Sequence, residues 1–184
     1  APKDAPSPAA PAGGASSGTS TAVKGVLPSP ETIRSGEYAP LSRPLFIYVN
    51  KKSLTEKPQL AFFVQTFLGA GQSRVTEVGY IPLSEADLAQ SKADVAAAGV
   101  SAEIAADKVS GDVDVDGSST VFPLSQEVAK QVIELTGDKV NVKVAKSGTG
   151  GGFKRFVKGE SDVNGASRPI SEEASSPSSK SRAR

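Results

Sequence analysis

The 184-residue chain contains no cysteine, no histidine, no methionine and no tryptophan, and the first two absences exclude whole classes of chemistry. Without cysteine there is no disulfide, no zinc–thiolate site and no thiol nucleophile. Without histidine there is no Ser-His-Asp triad and no imidazole metal ligand. The numerous serine and threonine hydroxyls are therefore predicted to donate hydrogen bonds rather than to attack substrates. We expect a protein that is not an enzyme and that holds no cofactor or metal.

An excess of charge of either sign is also missing. The chain has 21 basic and 20 acidic residues, which argues against electrostatic capture of nucleic acid or of an anionic membrane surface. No apolar run approaches the roughly 20 residues that a membrane-spanning helix needs.

Composition divides the chain into three parts. All but Lys3 and Asp4 of the first 22 residues are Ala, Pro, Gly, Ser or Thr, so residues 1–24 are predicted to be a disordered leader. The Ser-rich and basic residues 172–184 are predicted to be a flexible tail. The intervening residues 25–171 are long enough for one ordinary hydrophobic core.

Within that core segment, strand and helix patterns alternate, which predicts an α/β fold with a mainly parallel sheet covered by helices. The apolar run 45–49 is predicted to be a strand buried on both faces. Residues 99–111 read as a connector. Further strands are predicted at 112–116, 140–144 and 162–166, and helices at 58–69, 85–97, 122–136 and 150–158, the last burying Phe153, Phe156 and Val157.

Three polar turns follow three successive predicted strands: residues 117–120, 147–149 and 167–168, which we call the first, second and third turns. The carboxyl ends of parallel strands share one edge of the sheet, and ligands bind at that edge where strand order reverses. The first two turns also precede helices, whose amino ends attract anions. Hydroxyl and guanidinium donors without acceptors predict a small, fully ionised oxyanion as ligand. The candidate ligand-binding residues are Ser118, Ser119, Thr120, Ser147, Gly148, Thr149, Ser167 and Arg168.

Each turn alone has a simpler interpretation. Ser-Ser-Thr before a helix is usually an N-cap, a Gly-rich turn is usually a tight connection, and an isolated arginine such as Arg168 usually forms a surface ion pair. Nucleotide motifs fail on spacing, because a P-loop needs Gly-Lys-Ser/Thr and a dinucleotide fingerprint needs glycine where Phe153 stands. The coincidence of three turns favours an anion site.

The motifs DGSSTVFP at 116–123, SGTGGGFK at 147–154 and NGASRPI at 164–170 resemble the amino-terminal part of PstS-type periplasmic phosphate-binding proteins. These proteins serve ABC transporters in phosphate transport and have the type II periplasmic-binding-protein fold. The resemblance implies phosphate contacts at Ser119 or Thr120, at Ser147 and Thr149, and at Ser167 with Arg168. It also implies an exported location, periplasmic or in another extracytoplasmic compartment.

A second stretch resembles the carboxy-terminal part of the same family, in LSRPLFIYV at 41–49 and VGYIPL at 78–83. In the family that part comes last, whereas here residues 25–98 precede residues 112–171. The long middle that forms the second lobe is missing. The resemblance therefore implies a single lobe whose two halves stand in circularly permuted order, joined through residues 84–111, and close termini make such a permutation physically plausible.

Two functions remain open from the sequence. The lobe binds phosphate or a similar oxyanion through the three turns, or it serves as a non-catalytic structural or accessory subunit of a larger complex, with a vestigial anion site and a protein partner at the exposed lobe-facing edge. An engineered permuted lobe would show the same pattern. The missing lobe favours the accessory subunit, and the intact motifs favour phosphate binding.

Overall fold

The computed structural model describes residues 25–39 and 41–171, in which seven α-helices and four strands form a mixed α/β fold. The predicted leader at 1–24 and tail at 172–184 lie outside the described residues. The extent of the lobe, residues 25–171, remains a prediction from the sequence. In chain order the elements are α1 (Pro30–Arg34), β1 (Phe46–Val49), α2 (Lys51–Glu56), α3 (Pro58–Leu68), α4 (Gln72–Glu77), α5 (Glu85–Ala97), a 3-10 turn (Ala106–Lys108), β2 (Gly111–Gly117), α6 (Phe122–Leu135), β3 (Val140–Val144), α7 (Thr149–Phe156) and β4 (Val163–Ala166).

The four strands form one sheet in the order β1-β4-β2-β3. The central strand β2 pairs in parallel with both β3 and β4, and β1 pairs antiparallel with β4. The predicted α/β class and the mainly parallel sheet covered by helices are confirmed. The circularly permuted order of the two halves stays a prediction.

The main core lies on one face of the sheet. Val113 and Val115 of β2 point into it together with Val163 of β4, because alternate residues of a strand share a face. On this side they meet Phe63 of α3 and Val128 of α6, both fully buried. Helix α6 is amphipathic, and its apolar side supplies this core, whereas α3 is buried around most of its circumference, with eight of its eleven residues buried. The opposite face carries Asp116 and Asn164, which pair across β2 and β4 beneath α7, and this face underlies the candidate site.

The predicted helices at 58–69, 85–97 and 122–136 and the predicted strands in the second half are confirmed to within two residues. Ser84 caps α5 by accepting a hydrogen bond from the Asp87 amide, which fixes where that helix begins. The short helices α2 and α4 were not predicted. Among the described residues, none of the helices has the length and apolar composition needed to cross a membrane.

Two burial predictions are wrong. The run at 45–49 is not buried on both faces: β1 lies at the edge of the sheet, and all four of its residues are half-exposed. An edge strand has a neighbour on one side alone, so an apolar composition does not guarantee burial. In the last predicted helix Phe153 is buried, but α7 ends at Phe156, which is half-buried, and Val157 is 54% exposed beyond it.

Candidate functional site

The three turns meet at one edge of the sheet, as the sequence predicts. β2, β3 and β4 run in parallel, so their carboxyl ends lie on the same side. β2 is the central strand of the three, because the chain leaves it for β3 on one side and then crosses to β4 on the other. This reversal is the position at which open α/β sheets bind ligands.

Backbone hydrogen bonds join the first turn to the second turn and to β4, the strand that precedes the third turn. The Ser118 amide donates to the Gly165 carbonyl at 2.8 Å, and the Gly148 amide donates to the Gly117 carbonyl at 2.9 Å. Residue 117 has to be glycine, because a Cβ atom there would lie 2.1 Å from the Gly165 carbonyl oxygen, closer than any real contact. The close approach of the strand ends therefore depends on the absence of a side chain.

Side chains bring the second and third turns together. The Thr149 and Ser167 hydroxyl oxygens are 3.3 Å apart, and the Ser167 amide donates to the Thr149 hydroxyl oxygen at 3.3 Å. Thr149 is also the first residue of α7. The amides of Thr149, Gly150 and Gly151 donate to no acceptor within residues 25–39 and 41–171, as expected for the first turn of a helix. Unpaired amides and the helix dipole make this edge attractive to an anion.

The first turn is not an N-cap. α6 begins after Val121 and has no side-chain cap. The Ser118 hydroxyl oxygen instead accepts a hydrogen bond from the Thr120 amide at 3.2 Å, which closes a local turn. Ser118 is buried, whereas Ser119 and Thr120 are exposed at the edge. Of the three predicted donors in this turn, Ser119 and Thr120 are accessible to a ligand and Ser118 lies beneath them.

Two cationic side chains flank the turns. The Arg168 guanidinium lies 5.9 Å from the centre of the Phe153 ring and passes over Gly150 in the first turn of α7. The Lys146 ammonium lies 5.1 Å from the centre of the Phe122 ring. Neither cation forms an ion pair with any residue that the structure describes.

A buried carboxylate lies between the first and second turns, and sequence reasoning missed it. Asp116, the residue before Gly117, is 2% exposed. One of its oxygens, Oδ1, accepts from the amides of Gly117 at 2.7 Å and Ser147 at 2.9 Å. The other, Oδ2, accepts from the Ser147 hydroxyl at 2.9 Å and from the Arg155 guanidinium at 2.6 Å. The carboxylate thus fixes the second turn against the strand from which the first turn starts.

These contacts decide the charge of Asp116. Burial alone would raise the pKa of its carboxyl, but the bonds from Ser147, Gly117 and Arg155 outweigh burial and hold the pKa below its ordinary value. Asp116 is consequently an ionised acceptor at neutral pH. The expectation of donors without acceptors is therefore wrong, because the hydrogen of the Ser147 hydroxyl is already donated to Asp116.

Asn164 is a second buried polar residue under the site. Its side chain is fully buried, and neither its amide oxygen nor its amide nitrogen has a hydrogen-bond partner among the described residues. A Cβ atom on Gly152 would lie 2.0 Å from the Asn164 Oδ1 atom and 2.5 Å from the Gly117 Cα atom. Gly152 therefore allows α7 to approach β2 and β4 closely, and Asn164 fills the space beneath it.

The comparisons with known proteins agree with this fold. A family model described as a PBP superfamily domain matches residues 88–182, just over half of the chain. A crystal structure of a phosphate ABC transporter, phosphate-binding protein from Streptococcus pneumoniae superposes with a TM-score of 0.61 at 23% identity, over 82% of this chain and 52% of that one. At that identity the likeness supports the fold alone.

Two curated relatives are similar over shorter stretches. Protein SphX of Synechococcus elongatus is 56% identical over 61 residues, which are 33% of this chain and 18% of that protein. Phosphate-binding protein PstS of Staphylococcus saprophyticus is 44% identical over 66 residues, 36% of this chain and 20% of that protein. The chain thus spans about a fifth of the length of these relatives. The predicted resemblance to PstS-type proteins is confirmed, and with the family model covering more than half of its residues, the chain belongs to the family of PBP superfamily domains.

Proposed function

We propose that this chain binds inorganic phosphate or a similar oxyanion at the edge formed by the first, second and third turns. The observation that carries the proposal is the convergence of three turns from three strand ends, two of them adjacent to helix amino ends. The accessible donors are the hydroxyls of Ser119, Thr120, Thr149 and Ser167, the amides of Thr149, Gly150 and Gly151, and the guanidinium of Arg168.

Charge at the edge supports an anion. Arg168 and Lys146 are both exposed and have no acidic partner within the described residues, while the carboxylate buried beneath the first and second turns, Asp116, is neutralised by Arg155. Among the described residues, the charges at this edge are therefore mainly positive. A planar guanidinium also matches two oxygens of a phosphate at once, so Arg168 is the side chain we expect to contribute most to affinity.

The strength of binding is limited because the donors contact the ion from one side only. A hydrogen bond to a charged group contributes roughly 1.5–3 kcal/mol, so two or three such bonds reach the ~4 kcal/mol that corresponds to a millimolar dissociation constant. Binding proteins that enclose an anion between two lobes exclude water and gain further bonds. We therefore expect this chain alone to bind phosphate with an affinity in the millimolar to high micromolar range.

Isothermal titration calorimetry with phosphate tests the proposal. Arg168→Ala should weaken binding by roughly 10- to 150-fold, the equivalent of one charge-assisted bond. The matched control is Lys92→Ala, which also removes one exposed cation but lies on α5, a helix that packs against α3. Absence of heat with the wild-type protein at millimolar phosphate would refute the proposal. So would equal affinities for the Arg168 and Lys92 variants.

We also propose that the two halves of this lobe stand in circularly permuted order. β1 lies in the segment that resembles the family's carboxy-terminal part, and it pairs residue for residue with β4, from Phe46 opposite Ala166 to Val49 opposite Val163. The Tyr80 hydroxyl, in the same segment, donates to the Thr120 carbonyl of the first turn. Both contacts are those expected if two ends of a parent lobe were rejoined. A chain rebuilt with residues 112–171 before residues 41–98 should show the same circular dichroism spectrum and melting temperature, and an unfolded product would contradict the permutation.

A structural or accessory subunit is the second candidate function. The observation in its favour is that Ser119, Thr120 and Arg168 are exposed, so this edge is open to a partner as well as to an ion. Mass spectrometry of affinity-purified complexes would support this function if the chain is recovered in stoichiometric amounts with one partner. A monomer in extract, with phosphate bound, would favour the first function. On either proposal the protein is non-catalytic, and export follows only from its likeness to binding proteins of transporters.

A further inference from the structure

Arg168 is exposed, but hydrogen bonds on both sides of it fix its backbone. The Ser167 amide, directly before it, donates to the Thr149 hydroxyl oxygen at 3.3 Å. The Ile170 amide, just after the third turn, donates to the Tyr48 hydroxyl oxygen at 3.0 Å. Tyr48 lies on β1, 122 residues before Ile170 in the sequence. The backbone of Arg168 is therefore held between α7 on one side and the edge strand β1 on the other.

The side chain of Arg168 lies on a pair of aromatic rings. Its guanidinium is over the Phe153 ring, 5.9 Å from the ring centre, where a cation is attracted by the negative face of the ring. The Tyr48 ring meets the Phe153 ring edge-on, with centres 5.2 Å apart and planes inclined at 68°. Because Phe153 is buried and contacts Tyr48, its ring has little freedom to turn away from the cation.

We infer that Tyr48 is a positioning residue for the anion site: its hydroxyl holds the backbone beyond Arg168 and its ring holds Phe153, so that the guanidinium stands over the amino end of α7 before a ligand arrives. This inference rests on the proposed function. Every candidate site residue named from the sequence lies at or after Ser118, so β1 joins the site only through the fold.

The expected gain is that of a side chain fixed in advance. A mobile arginine loses rotamer freedom when it binds an ion, and that loss weakens binding. Immobilising one long side chain corresponds to a factor of about 2 to 12 in affinity. We expect a loss of this size when Tyr48 no longer supports Phe153 and the third turn. The charge of Arg168 remains, so the loss should be smaller than that caused by Arg168→Ala.

The first experiment compares phosphate binding by Tyr48→Leu and Phe46→Leu in calorimetric titrations. Phe46 is the matched control, because it is an aromatic residue on the same strand and the same face, and it is half-exposed like Tyr48. Its replacement leaves the contacts of Tyr48 with Phe153 and Ile170 in place. Tyr48→Leu should weaken phosphate binding about 2- to 12-fold. Phe46→Leu should bind phosphate as the wild type does.

The second experiment reports on Arg168 without a ligand. In ¹H–¹⁵N spectra, the Nε–H resonance of Arg168, assigned by its loss in Arg168→Ala, senses the ring current of Phe153. Tyr48→Leu should move this resonance toward the position of the other exposed arginines, and Phe46→Leu should leave it in place. Tyr48→Phe keeps the ring and should also leave it in place, but the Ile170 amide should exchange faster with water because its acceptor is gone.

The two readouts separate positioning from packing. If Tyr48→Leu and Phe46→Leu weaken phosphate binding equally, or if the Arg168 resonance stays in place in Tyr48→Leu, then Tyr48 is a structural residue of β1. The inference is then wrong while the proposed function stands. If the wild type binds no phosphate, both fail.

A conservative variant covers the case in which Tyr48→Leu does not fold, as judged by circular dichroism. Tyr48→Phe is then compared with Tyr38→Phe, which removes a tyrosine hydroxyl ahead of β1. Phosphate binding weaker by about twofold or more in Tyr48→Phe alone, the value of one hydrogen bond, supports the inference. Equal affinities of the two variants would overturn it.

Discussion

Replacement of Gly152 by alanine is the most specific perturbation of how α7 packs against the sheet. A Cβ atom at this position would lie 2.0 Å from the Asn164 amide oxygen and 2.5 Å from the Gly117 Cα atom, both below the 3.0 Å that real contacts respect. Rotation of Asn164 could relieve the first contact, but the second is with backbone. α7 would therefore have to move away from the end of β2.

The loss of stability depends on whether the clash is with a side chain, which can rotate, or with backbone. Overpacking that can be relieved by side-chain movement lowers the free energy of unfolding by about 1–3 kcal/mol. We expect a clash with backbone to cost about the upper limit of that range or more. A loss of about 3 kcal/mol in the free energy of unfolding corresponds to a melting temperature lower by about 6–12 °C for a domain of this size. Because the second turn leads directly into α7, phosphate affinity should fall as well.

The assay is urea denaturation followed by circular dichroism, with Gly150→Ala as the matched control. Gly150 lies in the same helix, and a Cβ atom there would meet the Arg168 guanidinium at 3.8 Å, an ordinary contact. Helix propensity alone would make Gly150→Ala neutral or more stable by up to about 1 kcal/mol. Equal stability of the two alanine variants would refute the packing of α7 described above. A double variant, Gly152→Ala with Asn164→Ala, should recover part of the loss, because one of the two clashes disappears.

Three further predictions concern stability. The pKa of Asp116 is lowered in the folded state, so the stability that its ionised carboxylate contributes is present at neutral pH and is lost as the pH falls through that lowered pKa. The Asp116→Asn variant should therefore be less stable than the wild type at neutral pH. Its urea midpoint should also decline less on acidification than that of the wild type. Lys57→Ala removes the ammonium that lies 2.8 Å from the buried Asp162 carboxylate and should lower the free energy of unfolding by about 1–3 kcal/mol in urea titrations. The range is kept low because Lys57 is partly exposed. Lys57→Arg, which keeps the positive charge, should retain most of the stability. Phe63→Ala opens a cavity in the fully buried core and should lower the free energy of unfolding by about 3–5 kcal/mol by the same method. The fraction of the variant that remains folded should bind phosphate with unchanged affinity. No measurable loss of stability would contradict the burial of Phe63 in the core.

Much of the fold could be predicted from the sequence because periodicity reports which face of an element is buried. The alternation of Val140, Val142 and Val144 identified β3, and the spacing of Leu124, Val128 and Val132 identified α6. Alternation of strands and helices also placed the three turns at one edge of a parallel sheet. These inferences need only local pattern and the handedness of β-α-β connections.

The place and direction of β1 could not be predicted in the same way. The composition of residues 45–49 indicates an apolar strand, but it carries no information on how many neighbours that strand has or on its direction. The antiparallel pairing with β4 at the edge depends on contacts more than a hundred residues apart in sequence. The short helices α2 and α4 contain six residues each, too few for a helical repeat to stand out.

The missed parts of the candidate site also depend on long-range contacts. Asp116 receives bonds from Ser147 and Arg155, which are 31 and 39 residues away. Without the fold, an aspartate before a Gly-Ser-Ser turn reads as an ordinary turn residue. The one available signal was that an acidic residue stood at the end of a predicted strand, directly before a turn in which every candidate side chain was a donor. Such a residue, when buried, needs several donors around it.

Amide chemical shifts measured during a phosphate titration test whether the three turns form one anion site. In two-dimensional ¹H–¹⁵N spectra, the amides of Ser119, Thr149, Gly150 and Gly151 should shift together and saturate with one dissociation constant below about 10 mM phosphate. Gly25 and Gly99, remote in sequence from the turns, should not shift. Turn amides that do not shift over that range would contradict a phosphate site here, and different dissociation constants for the first and second turns would contradict a single site.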